Sequence, residues 1–221
     1  MTNFRINVVS DTVCPWCYVG RRQLQEAIKL WNAKPAGAND TFTVAYLPYQ
    51  LNPHLEKGPA SSFDKQKYYE EKFGAARTAM MQQRLQQIGG ELGINFKFGG
   101  RTGNTRDSHR LVRLAKDYGN EAELKTLDGL FAAYFENEKD ITSYDTLRNV
   151  AVQAGIPEAE FQQAIIDSDK GGPEVDEEVA KARSGGVTGV PDFTIQDRFQ
   201  WSGARDPEDF LAIFEKAKAF D

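Results

Sequence analysis

Hydrophobic and polar positions alternate in only a few short stretches of this chain, and most of the rest repeats with a helical period. Phe4, Ile6 and Val8 alternate with Arg5 and Asn7, which predicts a strand over 4–9. Thr41 to Tyr49 repeats the pattern, with Phe42, Val44 and Tyr46 set against Thr43, Ala45 and Leu47. Between these strands Cys17, Leu24, Ala27, Ile28 and Trp31 recur at helical spacing, while Arg21, Arg22, Gln25, Glu26 and Lys29 fall mainly on the other faces. Near the end, Phe193–Ile195 and Phe199–Trp201 read as two strands joined by a turn at Gln196-Asp197-Arg198. Asp206-Pro207 then caps and opens a last helix, with Phe210, Leu211, Phe214 and Ala217 facing inward.

The long middle is helical. Candidate helices cover 62–73, 75–92, 105–118, 121–137, 143–154, 157–168 and 173–184. Ser62, Thr105, Ser143 and Pro157 supply start signals; Gly74, Gly93, Gly119 and Gly155 supply stops. No strand-like alternation of useful length interrupts them, and no internal repeat is visible. The Gly-rich stretch NFKFGGRTGN at 95–104 lacks the GKS or GKT ending of a phosphate loop and reads as a connecting loop. The pattern therefore predicts an α/β protein with a βαβ half, a large helical insertion and a ββα half that closes the same sheet. In numbers, residues 1–55 and 186–221 form one discontinuous domain around an all-helical domain at 56–185.

Composition narrows the function. The chain has 221 residues, 40% hydrophobic and 27% charged, enough apolar material for a packed core rather than disorder. A net charge of −5 argues against a nucleic-acid partner, which needs a basic footprint. No stretch approaches the roughly 20 apolar residues of a membrane span. The first residues, MTNFRINVVSDTVC, contain no long apolar run, so a cytoplasmic, reducing location is the expectation.

The cysteines carry the chemistry. There are two, in Cys14-Pro15-Trp16-Cys17. Chance gives two cysteines this spacing in such a chain about once in 110. A structural disulfide would close a tiny loop and contribute little by chain entropy. Zinc wants four ligands, and only His54 and His109 are there to join the pair, without the compact spacing of a finger. Haem attachment needs His where Tyr18 stands. A redox-active dithiol is the leading reading, with metal ligation and inert thiols as the alternatives. Pro15 suits the first helical position, which makes Cys14 the N-cap, its sulfur facing the unpaired N–H groups of the first turn. The positive helix end favours thiolate at Cys14, while Cys17 lies one turn inside and more buried. On this geometry Cys14 attacks and Cys17 resolves, and a redox pair at the first turn of a βαβ unit reads as thioredoxin-like.

Five segments resemble the DsbA-like branch of the thioredoxin superfamily, and within it FrnE-like proteins. They are SDTVCPWCYVG at 10–20, PYQLNP at 48–53, NTRDSHRL at 104–111, GVTGVP at 186–191 and SGAR at 202–205. The resemblance implies a thioredoxin-like fold with an all-helical domain inserted between the second strand and a cis-proline loop. It also implies a protein thiol–disulfide oxidoreductase, with Cys14 as nucleophile, Cys17 as resolving thiol and Pro191 as the cis-proline beside them. Val190 would present its backbone to substrate, Pro15 is a candidate substrate contact, and Trp16 either shapes the exposed rim for substrate or is buried against the insertion. His109 either faces the dithiol or is a packed or helix-surface histidine. Asp11 is either a proton relay or a turn residue, and Asn104 and Thr105 read first as helix caps. Asp192, directly after the proline, departs from the family's small or apolar residue, and an acidic group there would raise the pKa of Cys14. The implied partners are disulfide-containing proteins or small thiols, with glutathione as a candidate co-substrate and no bound cofactor or metal. Two other functions compete. One is a glutathione-dependent transferase or isomerase of the kappa or 2-hydroxychromene-2-carboxylate type, whose members usually carry Ser in place of the first cysteine. The other is a non-enzymatic, redox-gated client-binding protein.

Overall fold

The structure, a computed structural model, describes residues 1–220. Its elements in chain order are β1 (Asn3–Ser10), α1 (Pro15–Asn32), β2 (Thr41–Pro48), β3 (Phe63–Asp64), α2 (Lys65–Phe73), α3 (Ala75–Glu91), β4 (Arg101–Thr102), α4 (Arg106–Lys116) and α5 (Asn120–Phe135). Then come α6 (Tyr144–Gln153), α7 (Glu158–Phe161), a π-helical turn at Gln162–Ile166, α8 (Gly172–Ser184), β5 (Asp192–Ile195), β6 (Phe199–Ser202) and α9 (Pro207–Lys218). The chain divides into two compact units, Met1–Tyr49 with Val179–Asp221, and Gln50–Glu178. The boundaries fall at 49/50 and inside α8, rather than at 55/56 and 185/186.

In the first unit four strands form one sheet in the order β2-β1-β5-β6. β1 runs parallel to β2 and antiparallel to β5, so the segment between β2 and β5 enters as an insertion. The alternation in β1 decides its faces. Phe4, Ile6 and Val8 turn to one side and are buried, Phe4 against Trp31 of α1 and Phe214 of α9. Phe4 stacks on Phe42 (4.9 Å) and meets Trp31 edge-on at 5.6 Å and Phe214 at 5.2 Å. Further along the same face Phe193, Trp201 and Phe210 form a second cluster with centroids 5.1–5.2 Å apart. On the opposite face Val9, Leu47 and Tyr49 pack with Val187, Val190 and Ala182. The β5–β6 turn is tight because Gln196 and Asp197 both take positive φ (52° and 53°), the geometry of a type I′ hairpin. Asp206 stands at the N-cap of α9 as expected, but its carboxylate accepts from Gln23 Nε2 (3.3 Å) instead of capping.

The insertion is helical apart from one detail. Phe63–Asp64 pairs with Arg101–Thr102 as a two-residue ribbon, too short to leave an alternation in the sequence. The first helix of the insertion starts later than Ser62 suggests: Asp64 is the N-cap and accepts from the Lys67 N–H at 2.7 Å. Ser62 instead receives Arg101 through both its hydroxyl and its carbonyl. The core is built from Leu111, Leu127, Leu130, Phe131, Leu147 and Phe161, all fully or almost fully buried. Lys65 is buried as well, its ammonium donating to the Tyr134 carbonyl (3.0 Å) at the C-terminal end of α5. Burial pulls its pKa down to about 8, with the Glu138 carboxylate opposing.

Candidate active site

The dithiol sits where β1 ends and α1 begins. The turn is closed by the Cys14 N–H donating to the Asp11 carbonyl (3.1 Å). Cys14 has extended backbone (φ −91°, ψ 114°), Pro15 follows at the first helical position, and the Cys14 carbonyl accepts from the N–H groups of Cys17 and Tyr18. Cys14 is thus the N-cap, with its side chain making no hydrogen bond to the first turn. Both cysteines are free thiols.

Cys17 is the more buried of the two, as expected, but only by a small margin. Cys14 is 4% exposed and Cys17 2%. Cys14 is covered because its thiol points to the loop before β5, donating to the Val190 carbonyl at 3.5 Å. What separates the two sulfurs is therefore environment rather than access. Burial pushes the Cys17 thiol well above its ordinary value, and the neighbouring Cys14 sulfur pushes the same way. The Ser10 hydroxyl and the Asp11 backbone pull against this shift.

The loop facing Cys14 is held from three sides. Its Val190–Pro191 peptide is cis. The Pro191 carbonyl accepts from the Gly203 N–H (2.7 Å) after β6, which ties the GVTGVP and SGAR segments together. Pro191 also leans on α1 at Gly20, where a Cβ would lie 3.2 Å from Pro191 Cγ and 3.1 Å from the Phe193 ring. A glycine inside a helix costs about 1 kcal/mol relative to alanine. Here it permits the loop to approach the helix that carries the dithiol. Val190 and Val187 anchor the loop in the apolar cluster with Tyr49, whose ring lies 4.7 Å beneath the Arg183 guanidinium.

Pro15 and Trp16 are half-buried at the start of α1. Asp192 is 3% exposed, and its carboxylate accepts from Gln200 Nε2 (2.9 Å) and Ser202 Oγ (2.5 Å) on β6. Cys14, Cys17, Pro15, Val190 and Pro191 thus gather in the first unit. His109 lies on α4 in the insertion, where it is buried. Its NTRDSHRL segment has a structural purpose. Asn104 Oδ1 accepts from the Arg106 N–H and from Gln50 Nε2, both at 2.9 Å, so the side chain of Asn104 rather than Thr105 satisfies the start of α4. Arg106 grips Asp169 through two nitrogens and Asp176 through a third. Arg110 donates to the carbonyls of Ala164, Ile165, Ser168 and Lys170, closing the end of the π-helical turn.

Among the described residues no three His, Cys, Asp or Glu side chains are placed to hold a metal ion. None of the described helices is long and apolar enough to cross a membrane. Sequence reasoning missed Ser10, Gly20 and the Val190 carbonyl as an acceptor for Cys14. Only Gly20 left a signal, as a glycine inside an otherwise helical pattern.

The model of the DsbA-like thioredoxin domain matches residues 5–215. The chain belongs to this family. The Bacillus subtilis protein YwbO, itself uncharacterized, is 26% identical to this DsbA-like chain over 196 residues, covering 87% of it and 86% of YwbO. A probable DsbA oxidoreductase from Streptomyces coelicolor superposes with a TM-score of 0.85 at 26% identity, over 98% of this chain and 90% of its own. The cytosolic disulfide reductase DsbM from Pseudomonas aeruginosa, solved with GSH, shares the fold at 16% identity with a TM-score of 0.56, over 98% and 96%. The thioredoxin-like fold with a helical insertion is thus the fold of this chain.

Proposed function

We propose that this DsbA-like protein is a thiol–disulfide oxidoreductase that works through a mixed disulfide on Cys14. The observation that carries the reading is the Cys14 thiol at the N-cap of α1, aimed at the Val190 carbonyl, with Cys17 one turn behind it. A thiolate at a helix N-terminus is the nucleophile in disulfide exchange. Cys14 attacks one sulfur of the substrate, the other leaves as a thiol, and Cys17 then displaces the bound half. Val190 and Pro191 present the backbone against which the substrate strand lies, and Pro15 and Trp16 form the rim beside it. Disulfide-bearing proteins and small thiols, glutathione among them, are the substrates this geometry suits.

The chain has no cysteine outside the pair, so it carries no structural disulfide. That fits work in the cytoplasm. Against a cytosolic glutathione poise of about −240 mV, even a couple as oxidising as about −120 mV rests as the dithiol by about four decades. The protein then reduces or isomerises disulfides, glutathione-linked ones included. Turnover of a small model disulfide by the native protein, with glutathione as the electron source, tests this. Catalysis well above the glutathione background is expected. A rate equal to that background would reject the reading in favour of a client-binding protein.

A further inference from the structure

β6 is an edge strand of its sheet, paired with β5 on one side only. Its register sets Asp192 opposite Ser202 and Phe193 opposite Trp201. Alternation then divides the ribbon. Phe193 and Trp201 pack with Phe210 on one face, and Asp192, Gln200 and Ser202 share the other. There the Asp192 carboxylate gathers both β6 side chains, Ser202 directly across the ladder (2.5 Å) and Gln200 on the diagonal (2.9 Å). Asp192 itself is buried, whereas Gln200 and Ser202 are exposed. One residue on, the Gly203 N–H donates to the Pro191 carbonyl at 2.7 Å. Two consecutive residues, 202 and 203, are thus bonded to two consecutive residues, 192 and 191.

Packing contributes little at this end of β6. A Cβ at Gly203 would meet no atom within 4 Å, and its φ of 93° is one that glycine adopts without strain. Hydrogen bonds therefore hold the strand end, and the Pro191 carbonyl depends on them. A carboxyl group buried against two neutral donors is a costly way to hold a strand, because such donors only partly offset its lost hydration. Its value lies in where the bonds lead. They run through Gly203 to Pro191 and so to Val190, whose carbonyl accepts from the Cys14 thiol.

We infer that Asp192 is a positioning residue of the dithiol site, its carboxyl group holding Ser202 and Gly203 so that the Val190–Pro191 backbone stays set for the backbone of a peptide substrate. The inference rests on the exchange reading above and deepens it, since it assigns this loop to peptide disulfides. A small disulfide meets only the Cys14 sulfur and uses no backbone contact. The Cys14 thiol is a weak donor, so a looser Val190 carbonyl changes that sulfur little. Loss of Asp192 therefore falls on peptide binding and leaves the exchange chemistry in place. Misplacing about one backbone hydrogen bond to the substrate corresponds to a loss of about three- to tenfold in affinity.

The experiment measures steady-state turnover of two substrates, a short peptide closed by one disulfide and hydroxyethyl disulfide, with glutathione as the electron source. Asp192→Ala should raise KM for the peptide by about three- to tenfold, with kcat and the kinetics on hydroxyethyl disulfide changed by less than about twofold. Asp192→Asn should restore the peptide KM, because its amide can accept from Gln200 and donate to the Ser202 oxygen. Ser202→Ala, at an exposed position that does not threaten folding, should raise the peptide KM in the same sense by a smaller factor. Equal losses on both substrates, a fall in kcat in place of the rise in KM, no change in either alanine variant, or an Asp192→Asn protein as impaired as Asp192→Ala would overturn the role of Asp192. A wild-type protein that turns over neither substrate would instead overturn the exchange reading itself.

Discussion

Replacing Cys14 by Ser is expected to abolish disulfide exchange, by at least about a thousandfold, while Cys17→Ser stops the reaction at a mixed disulfide. The asymmetry follows from the site. Cys14 is the N-cap and the sulfur that meets the Val190 carbonyl, so it is placed to receive a substrate lying along the loop. Burial and the neighbouring Cys14 sulfur oppose the Cys17 thiolate, which suits it to act only after Cys14 has been engaged. A serine hydroxyl in place of Cys14 is far less acidic than a thiol and forms no disulfide, so nothing remains to start the reaction. With Cys17→Ser the first attack still occurs, and the adduct persists for want of a resolving thiol. Intact mass after incubation with a model disulfide reads both results. Equal residual turnover in the two variants would contradict the division of labour.

The second large effect concerns stability. Asp40 lies in the loop before β2 with its side chain 1% exposed, and it collects three donors from distant parts of the chain. The Thr2 N–H donates at 2.8 Å, Trp31 Nε1 at 3.1 Å and Lys218 Nζ at 2.6 Å. These pin the start of β1, the end of α1 and the end of α9 around the Phe4–Trp31–Phe214 cluster. Asp40→Ala leaves the Thr2 and Trp31 donors buried without partners and is expected to cost about 2–4 kcal/mol. Burial alone would raise the Asp40 pKa, but the bonds from Lys218, Thr2 and Trp31 outweigh it and hold the carboxyl below its ordinary value of 3.8. The stabilisation is therefore fully present above pH ~4 and is lost as pH falls through the lowered value. Urea unfolding of both proteins between pH 3 and pH 8 checks this. The gap should be constant at neutral pH and narrow only below pH ~4; a gap that narrows near neutrality would contradict it.

How much of this was legible in the sequence depends on the range of the interaction. Strict alternation in Phe4–Val8 and Phe42–Tyr46 specifies two strands because one face of each must be apolar, and both formed in that register. Cys14 as N-cap followed from Pro15 alone, a local rule. The ribbon between β3 and β4 was not legible, since two residues carry no period. Nor was the start of α2 at Lys65: Ser62 and Asp64 are both good caps, and Arg101, 39 residues away, decides by claiming Ser62. The burial of Cys14 depends on how the β5 loop meets α1, a contact across more than 170 residues. The same holds for Asp40, whose donors are 38, 9 and 178 positions away. Local chemistry was readable; the partners chosen across the fold were not.

The central claim is that Cys14 and Cys17 act together as one two-electron couple. Equilibrating the native protein in buffers of reduced and oxidised glutathione, followed by alkylation and intact mass, tests it most directly. The account predicts a single transition in which both thiols disappear together into an internal disulfide. At a fixed ratio of the two glutathione forms, its midpoint should move with total glutathione, because two reduced molecules are released for each oxidised one consumed. A protein that keeps one thiol free while the other is capped by glutathione across all buffers, or that remains a dithiol throughout, would contradict it.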